Sequence, residues 1–170
     1  MRKTAERMIT PCSHKACGRR KTIANRGLSG IDGTVSTAVG TALVRQSSRA
    51  FAYLGDLTFL HDSNGLLFGD REPVPDLTIV VVNDDGGSIF ATLERGAPEY
   101  ASAFERVFAT PAHADIAAVC AVSGTAYQRV DDAAALREAL ALDVTGIRVL
   151  EVPVDRANRR AVDEELRSLT

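Results

Sequence analysis

The run Leu77-Thr-Ile-Val-Val-Val82 is apolar almost from end to end, and it constrains the fold more than any other stretch. A strand with one wet face alternates polar and apolar residues. A strand without polar interruption is buried on both faces, as interior strands of parallel sheets are. Such a sheet needs helices on each side, and the flanking sequence supplies the alternation of short β-branched runs with longer stretches of helical period. Strands are expected near Thr22 to Ala24, Ala50 to Leu54, Leu77 to Val82, Ala126 to Val130 and Ile147 to Val152. Small and apolar residues from Thr34 to Val44 suit a tightly packed helix, and Asp131 or Asp132 can cap another over Ala133 to Leu142. The segment Asp155 to Leu169 spaces Val162, Leu166 and Leu169 for a surface helix with one face inward. The expected class is α/β, a three-layer parallel sheet with helices on both faces.

Open sheets of this kind bind ligands at the carboxyl ends of their strands, and three clusters fall there. Asn25-Arg-Gly-Leu-Ser-Gly-Ile-Asp-Gly33 follows the first strand and opens a helix. Its glycines allow close backbone approach, and a helix start offers free N–H groups to an anion. The spacing is not G-x-G-x-x-G, which argues against a nicotinamide domain. Gly55-Asp56 ends the second strand, and Asn83-Asp-Asp-Gly-Gly87 ends the third, with 26 residues between Asp56 and Asn83. Each cluster alone is more often a turn than a metal site, since Asp, Asn and Gly are what turns are made of. If the two strands are parallel neighbours, their ends bring hard carboxylate and carbonyl oxygens together with little positive charge. Such a pocket suits Mg²⁺, which completes its octahedron with water and phosphate oxygens.

Charge is unevenly distributed. Residues 1–26 hold Arg2, Lys3, Arg7, Lys15, Arg19, Arg20, Lys21 and Arg26 against Glu6 alone, while the whole 170-residue chain has a formal net charge of −2. The basic head, residues 1–23, reads as a leader without fixed structure. It has no apolar stretch of the kind a secretory signal carries. No run reaches the length of a membrane span, and the overall balance gives no nucleic-acid footprint. Cys12, Cys17 and Cys120 are too few and too odd in number for a disulfide scaffold, which fits a cytoplasmic location. Cys12 and Cys17 flank His14 without a fourth ligand at zinc spacing.

Together the Gly55-Asp56 and Asn83–Gly87 clusters resemble the diphosphate-binding half of thiamine-diphosphate-dependent enzymes, which carry Gly-Asp followed one crossover later by Asn-Asn-x-Gly. The stretches Asn25–Gly33, Gly55-Asp-Leu-Thr-Phe-Leu-His-Asp62 and Asn83-Asp-Asp-Gly-Gly-Ser-Ile-Phe90 are more closely similar to the C-terminal domain of one branch. That branch is the 2-succinyl-5-enolpyruvyl-6-hydroxy-3-cyclohexene-1-carboxylate synthases of menaquinone biosynthesis. Leu57, where most thiamine enzymes have a further glycine, is a habit of this branch. The resemblance runs from about Ala24 to the C-terminus, so residues 24–170 are expected to form the thiamine-diphosphate-binding domain.

The resemblance implies site residues position by position. Asp56 and Asp84 match the side-chain ligands of Mg²⁺ (or Mn²⁺), with the Gly86 carbonyl as backbone ligand. Ser29, Gly30, Ile31, Gly55, Leu57, Asn83 and Gly87 complete the cofactor contacts, with Ile31 supporting the bent cofactor between its rings and Asn83 supporting the turn. Arg26 matches an arginine that meets substrate carboxylates, and Ile89, Phe90 and Leu93 match the apolar wall beside the reacting carbon. The implied activity is a transferase reaction, decarboxylation of 2-oxoglutarate and addition of the product to isochorismate. The pyrimidine-binding domain and its glutamate have no match here. The expected partner is therefore a chain bearing that domain or a second copy of this one, and the chain alone is expected to be inactive. A catalytically dead cofactor-binding fragment and a protein-interaction module are the competing readings.

Overall fold

The computed structural model describes residues 22–24, 30–45 and 49–169, together with the backbone of 7–9. Strands are β1 (Arg7–Ile9), β2 (Thr22–Ala24), β3 (Ala50–Gly55), β4 (Leu77–Asn83), β5 (Ala126–Arg129) and β6 (Ile147–Pro153). Helices are α1 (Thr34–Arg45), α2 (Asp56–His61), α3 (Ala101–Phe104), α4 (Ile116–Val122), α5 (Ala133–Ala141) and α6 (Arg159–Ser168). The six strands lie in the order β2-β1-β3-β4-β6-β5. The four strands β3, β4, β6 and β5 are mutually parallel, as the apolar run of β4 requires. That run sits between β3 and β6, and its first five residues are buried.

Alternate residues of β4 serve opposite faces, the period-two consequence of a pleated strand. Leu77, Ile79 and Val81 join Val35, Ala38, Val39 and Ala42 of α1, Phe59 of α2 and Ile116 and Cys120 of α4 in one core. Val80 faces the other way, with Leu150 of β6 and Ala139 of α5, and Val130 closes that second layer. Helices therefore cover both faces. Asp132 caps α5 by accepting the Ala135 N–H at 2.8 Å, and Asp115 caps α4 by accepting from Ala118 at 3.0 Å. Asp132→Ala is expected to cost about 1 kcal/mol of stability, the usual worth of such a cap, readable as a lower urea midpoint with an unchanged slope.

Two elements differ from the sequence expectation. Strand β1 falls inside the basic head. It pairs antiparallel with β2 and with the start of β3 through Met8↔Ala52 and Ile9↔Phe51, supplying backbone partners to what would otherwise be a sheet edge. These three residues belong to the sheet rather than to a detached leader; residues 1–6 and 10–21 lie outside the described residues. Helix α6 forms where expected but buries no residue, and Val162, Leu166 and Leu169 remain exposed. It leans on the Ser88–Thr92 turn with a charged side chain, Arg160 donating to the Ala91 carbonyl at 3.4 Å. Its apolar positions are left without a sheet face to cover.

Candidate cofactor site at the ends of β3 and β4

The register Gly55↔Val82 between β3 and β4 sets the carboxyl ends of the two strands side by side. β3 passes into α2 without a loop, since Gly55 ends the strand and Asp56 is the first helical residue. An acidic residue in a first helical turn is favoured by the N–H groups exposed there. Asp56 is nevertheless only 3% exposed. β4 ends at Asn83 and turns through Asp85, at φ 53°, and Gly86, at φ 139°. The Gly86 N–H donates to Asp56 Oδ2 at 2.8 Å, so the turn after β4 closes on the carboxylate after β3.

That carboxylate is electrostatically strained. Burial, and then the neighbouring Asp84 charge, push its pKa from 3.8 up to about 6, against the opposing pull of the Leu57, Gly86 and Asp56 amides. Asp84 accepts a short hydrogen bond from the Ser88 hydroxyl. Two carboxylates repelling one another at a strand-end cleft, beside a glycine turn, form a hard-oxygen donor set suited to a divalent cation. Among the described residues no three His, Cys, Asp or Glu side chains cluster to hold a metal. A cation here would take further oxygens from backbone, water or ligand, which is the habit of Mg²⁺ rather than of zinc.

The turn is held from behind. Asn83 Oδ1 accepts the Asp85 N–H at 3.0 Å, and its Nδ2 donates to Glu151 Oε1 at 2.7 Å. The Gly87 N–H donates to the Ala109 carbonyl at 2.7 Å, where a π-helical turn, Glu105–Ala109, ends. Asp85 is clasped by His113, whose N–H donates to Oδ1 at 2.8 Å and whose Nδ1 lies 2.5 Å from Oδ2. Beyond Gly87 the chain enters a 3₁₀ turn, Ser88–Thr92, that carries Ile89 and Phe90, with Leu93 exposed just after it. Phe90 packs against Phe108 with ring centroids 6.3 Å apart. A cleft of about 450 Å³ opens beside this turn, lined in part by Ser88, Phe104, Glu105 and Arg156.

The sequence-derived site residues thus fall into groups. Gly55, Asp56 and Leu57 meet Asn83, Asp84, Gly86 and Gly87 at one strand-end junction. Ile89, Phe90 and Leu93 follow directly along the chain. Gly30 and Ile31 stand at the entrance to α1, where the Ile31 carbonyl accepts from the Thr34 hydroxyl at 3.0 Å. That entrance is tied to the end of α2, because Asp62 accepts from the Ser36 N–H at 2.6 Å and from its hydroxyl at 3.0 Å. Arg26 and Ser29 lie outside the described residues. Glu151, Ser88 and His113 touch the turn but were not legible as site residues. In sequence Glu151 shows only as a polar residue amid apolar neighbours and His113 as a loop residue, while Ser88 lies inside the Asn83–Phe90 stretch.

The geometry of two parallel strands offering a buried Asp and an Asn-Asp-x-Gly turn defines a class. Residues 8–152 match the family described as thiamine pyrophosphate enzyme, C-terminal TPP binding domain, and the chain belongs to that family. It is 59% identical over 152 residues to the 2-succinyl-5-enolpyruvyl-6-hydroxy-3-cyclohexene-1-carboxylate synthase of Nocardioides sp. (strain ATCC BAA-499 / JS614), covering 89% of this chain and 28% of that protein. The synthase of the same name from Rhodococcus erythropolis is 55% identical over 153 residues, with 87% and 28% covered. The chain thus spans 28% of the length of these relatives. The crystal structure of benzoylformate decarboxylase from Polynucleobacter necessarius superposes with a TM-score of 0.54 at 21% identity, over 72% of this chain and 23% of that one. This likeness bears on the fold, an α/β parallel sheet of the diphosphate-binding type. No helix among the described residues is long and apolar enough to cross a membrane.

Proposed function

We propose that the chain anchors the diphosphate of thiamine diphosphate through a divalent cation, Mg²⁺ or Mn²⁺, held by Asp56, Asp84 and the Gly86 carbonyl. The observation that carries this reading is the closure of the Asp84–Gly86 turn on Asp56, 2.8 Å from amide to carboxylate, with burial and then the Asp84 charge raising the cost of ionising Asp56. A bound cation would relieve that repulsion and turn an acidic cleft into one that accepts phosphate.

We infer further that the anchor serves a 2-succinyl-5-enolpyruvyl-6-hydroxy-3-cyclohexene-1-carboxylate synthase, in line with the names of its relatives. When bound, thiamine diphosphate would supply the chemistry for decarboxylation of 2-oxoglutarate and addition of the product to isochorismate. This chain's residues do the holding. Ile31 would support the cofactor. Ile89, Phe90 and Leu93 would form the apolar wall beside the reacting carbon, and Arg26 would meet a substrate carboxylate. The pyrimidine half of the site, with its glutamate, is contributed by other sequence, and turnover depends on it.

Titration calorimetry tests the anchor. Thiamine diphosphate is expected to bind in the presence of Mg²⁺, to bind with Mn²⁺ in its place, and to show no measurable heat once the cation is chelated. Equal affinity with and without chelator would remove Asp56, Asp84 and Gly86 as a cation site.

A further inference from the structure

We infer that Glu151, braced by Tyr127, is a positioning residue that fixes the side-chain orientation of Asn83 and through it the backbone of the turn that closes on Asp56. Glu151 is 5% exposed on β6, a strand otherwise apolar at its buried positions. Its two oxygens are separately engaged. Oε1 accepts from Asn83 Nδ2 at 2.7 Å, and Oε2 accepts a short hydrogen bond from the Tyr127 hydroxyl. A carboxylate offers acceptors only, whereas an asparagine amide has a donor end and an acceptor end. Facing Glu151, Asn83 must turn its nitrogen inward, which leaves Oδ1 as the acceptor for the Asp85 N–H at 3.0 Å. The next amide along, Gly86, is the donor to Asp56 at 2.8 Å. Hydrogen bonds therefore link β5 through β6 and β4 to the Asp85 amide, and the adjoining peptide unit carries the connection to the Gly86 amide that meets the buried aspartate.

The surroundings fit this role. Burial, and then the hydrogen bond to Glu151, keep the Tyr127 phenol well above its ordinary range, so it remains a donor. The registers Val81↔Glu151 and Arg129↔Glu151 place the residue in the middle of three strands, where its backbone cannot shift without breaking the sheet. Its carbonyl accepts the Val130 N–H at 2.8 Å. A carboxylate at such a place costs free energy unless its partners are present. Here both partners are side chains, and one of them belongs to the turn. The functional consequence rests on the cation-site reading proposed above; the orientation of Asn83 does not.

Amide hydrogen exchange by NMR on the full chain, without cofactor, tests the inference directly. Glu151→Met, similar in size but without an acceptor, is expected to lower protection at the Asp85 and Gly86 amides about tenfold or more while the β3 and β4 amides keep theirs. Glu151→Gln retains an oxygen for Asn83 and is expected to stay within about threefold of the wild type. Asn83→Asp sets two carboxylates face to face and is expected to lose protection. The double variant Asn83→Asp with Glu151→Gln restores a donor–acceptor pair of reversed polarity and is expected to regain it. Unchanged protection in Glu151→Met, or a double variant no better than Asn83→Asp alone, would overturn the inference. The last comparison stands even if Glu151→Met does not fold. In a parallel titration with Mg²⁺, Glu151→Met is expected to weaken thiamine diphosphate binding about tenfold or more, as loss of a positioning partner behind a metal site does. A wild-type chain that binds no cofactor would defeat the cation-site reading, while the exchange data would still decide the role of Glu151.

Discussion

Asp56→Asn is expected to make the metal-free chain more stable at neutral pH and to abolish cation-dependent cofactor binding in the same molecule. The Asp56 carboxyl has its folded pKa raised from 3.8 to about 6 by burial and by Asp84. A raised pKa means that the folded state holds the proton more tightly than the unfolded chain does. The associated stability is complete below about pH 4 and is lost as pH rises through about 6, to the extent of about 3 kcal/mol. An amide never ionises and so avoids that loss. It gives up one acceptor oxygen, which offsets about 1 kcal/mol, leaving a net gain of about 2 kcal/mol at pH 7. Urea unfolding at two pH values measures this: the variant should be no more stable than wild type near pH 3.5 and clearly more stable at pH 7. Adding Mg²⁺ and thiamine diphosphate should reverse the order, because ligand binding stabilises only the chain that can bind it. A variant less stable than wild type at both pH values, without ligand, would show that Asp56 is not a strained residue.

The second large effect is expected at Gly86, whose φ of 139° lies where only glycine is comfortable. A Cβ there would sit 2.5 Å from the Ala109 carbonyl oxygen and 3.2 Å from Arg156 Nη1. Neither neighbour yields easily. Ala109 is fully buried and its carbonyl also receives the Gly87 N–H, and Arg156 is held by Glu105 at 2.6 Å. Gly86→Ala should cost about 3 kcal/mol or more, from backbone strain and the contact together. In a chain of this length that is a fall of roughly 6–12 °C in the thermal midpoint. The Gly86 N–H would leave Asp56, so affinity for cation and cofactor should fall with stability. Gly40→Ala is the matched control, since a Cβ there meets nothing within 4 Å and helix α1 should gain slightly from it. Equal melting of the two variants would mean that the Gly86 backbone can relax, contrary to the crowding around it.

How far the sequence revealed this molecule depends on the range of the signal. The β4 strand announced itself through an unbroken apolar run, and the adjacent Asp132 and Ala133 through a cap followed by a helical period. Both are local patterns, and both elements lie within a residue or so of their expected ends. The neighbouring placement of Asp56 and Asn83 was also legible, because a parallel pairing of two successive strands leaves little choice about which ends meet. Glu151 was not. In Val-Leu-Glu-Val-Pro it reads as the polar position of an ordinary strand, and only the register against β4 and β5 shows that it faces Asn83, 68 residues away. Strand β1 was hidden for a different reason: basic residues dominate its surroundings, and its place in the sheet comes from backbone pairing with β3, which composition does not reveal. The exposed apolar positions of α6 mislead in the opposite direction, since periodicity describes a face but not whether anything lies opposite it.

The direct passage of β3 into α2 has a consequence for how such a site changes over evolutionary time. Asp56 is rooted at a joint with no spare residue, so a single insertion before it would rotate the carboxylate away from the turn by about 100°. The residues from Gly69 to Val74, on the way to β4, are exposed and carry none of the site. Length can therefore drift freely in one part of the crossover while the two ends stay in step. The spacing between the acidic residue and the Asn-Asp turn is then not a ruler the chemistry imposes. It is the contour length of one strand-to-strand excursion.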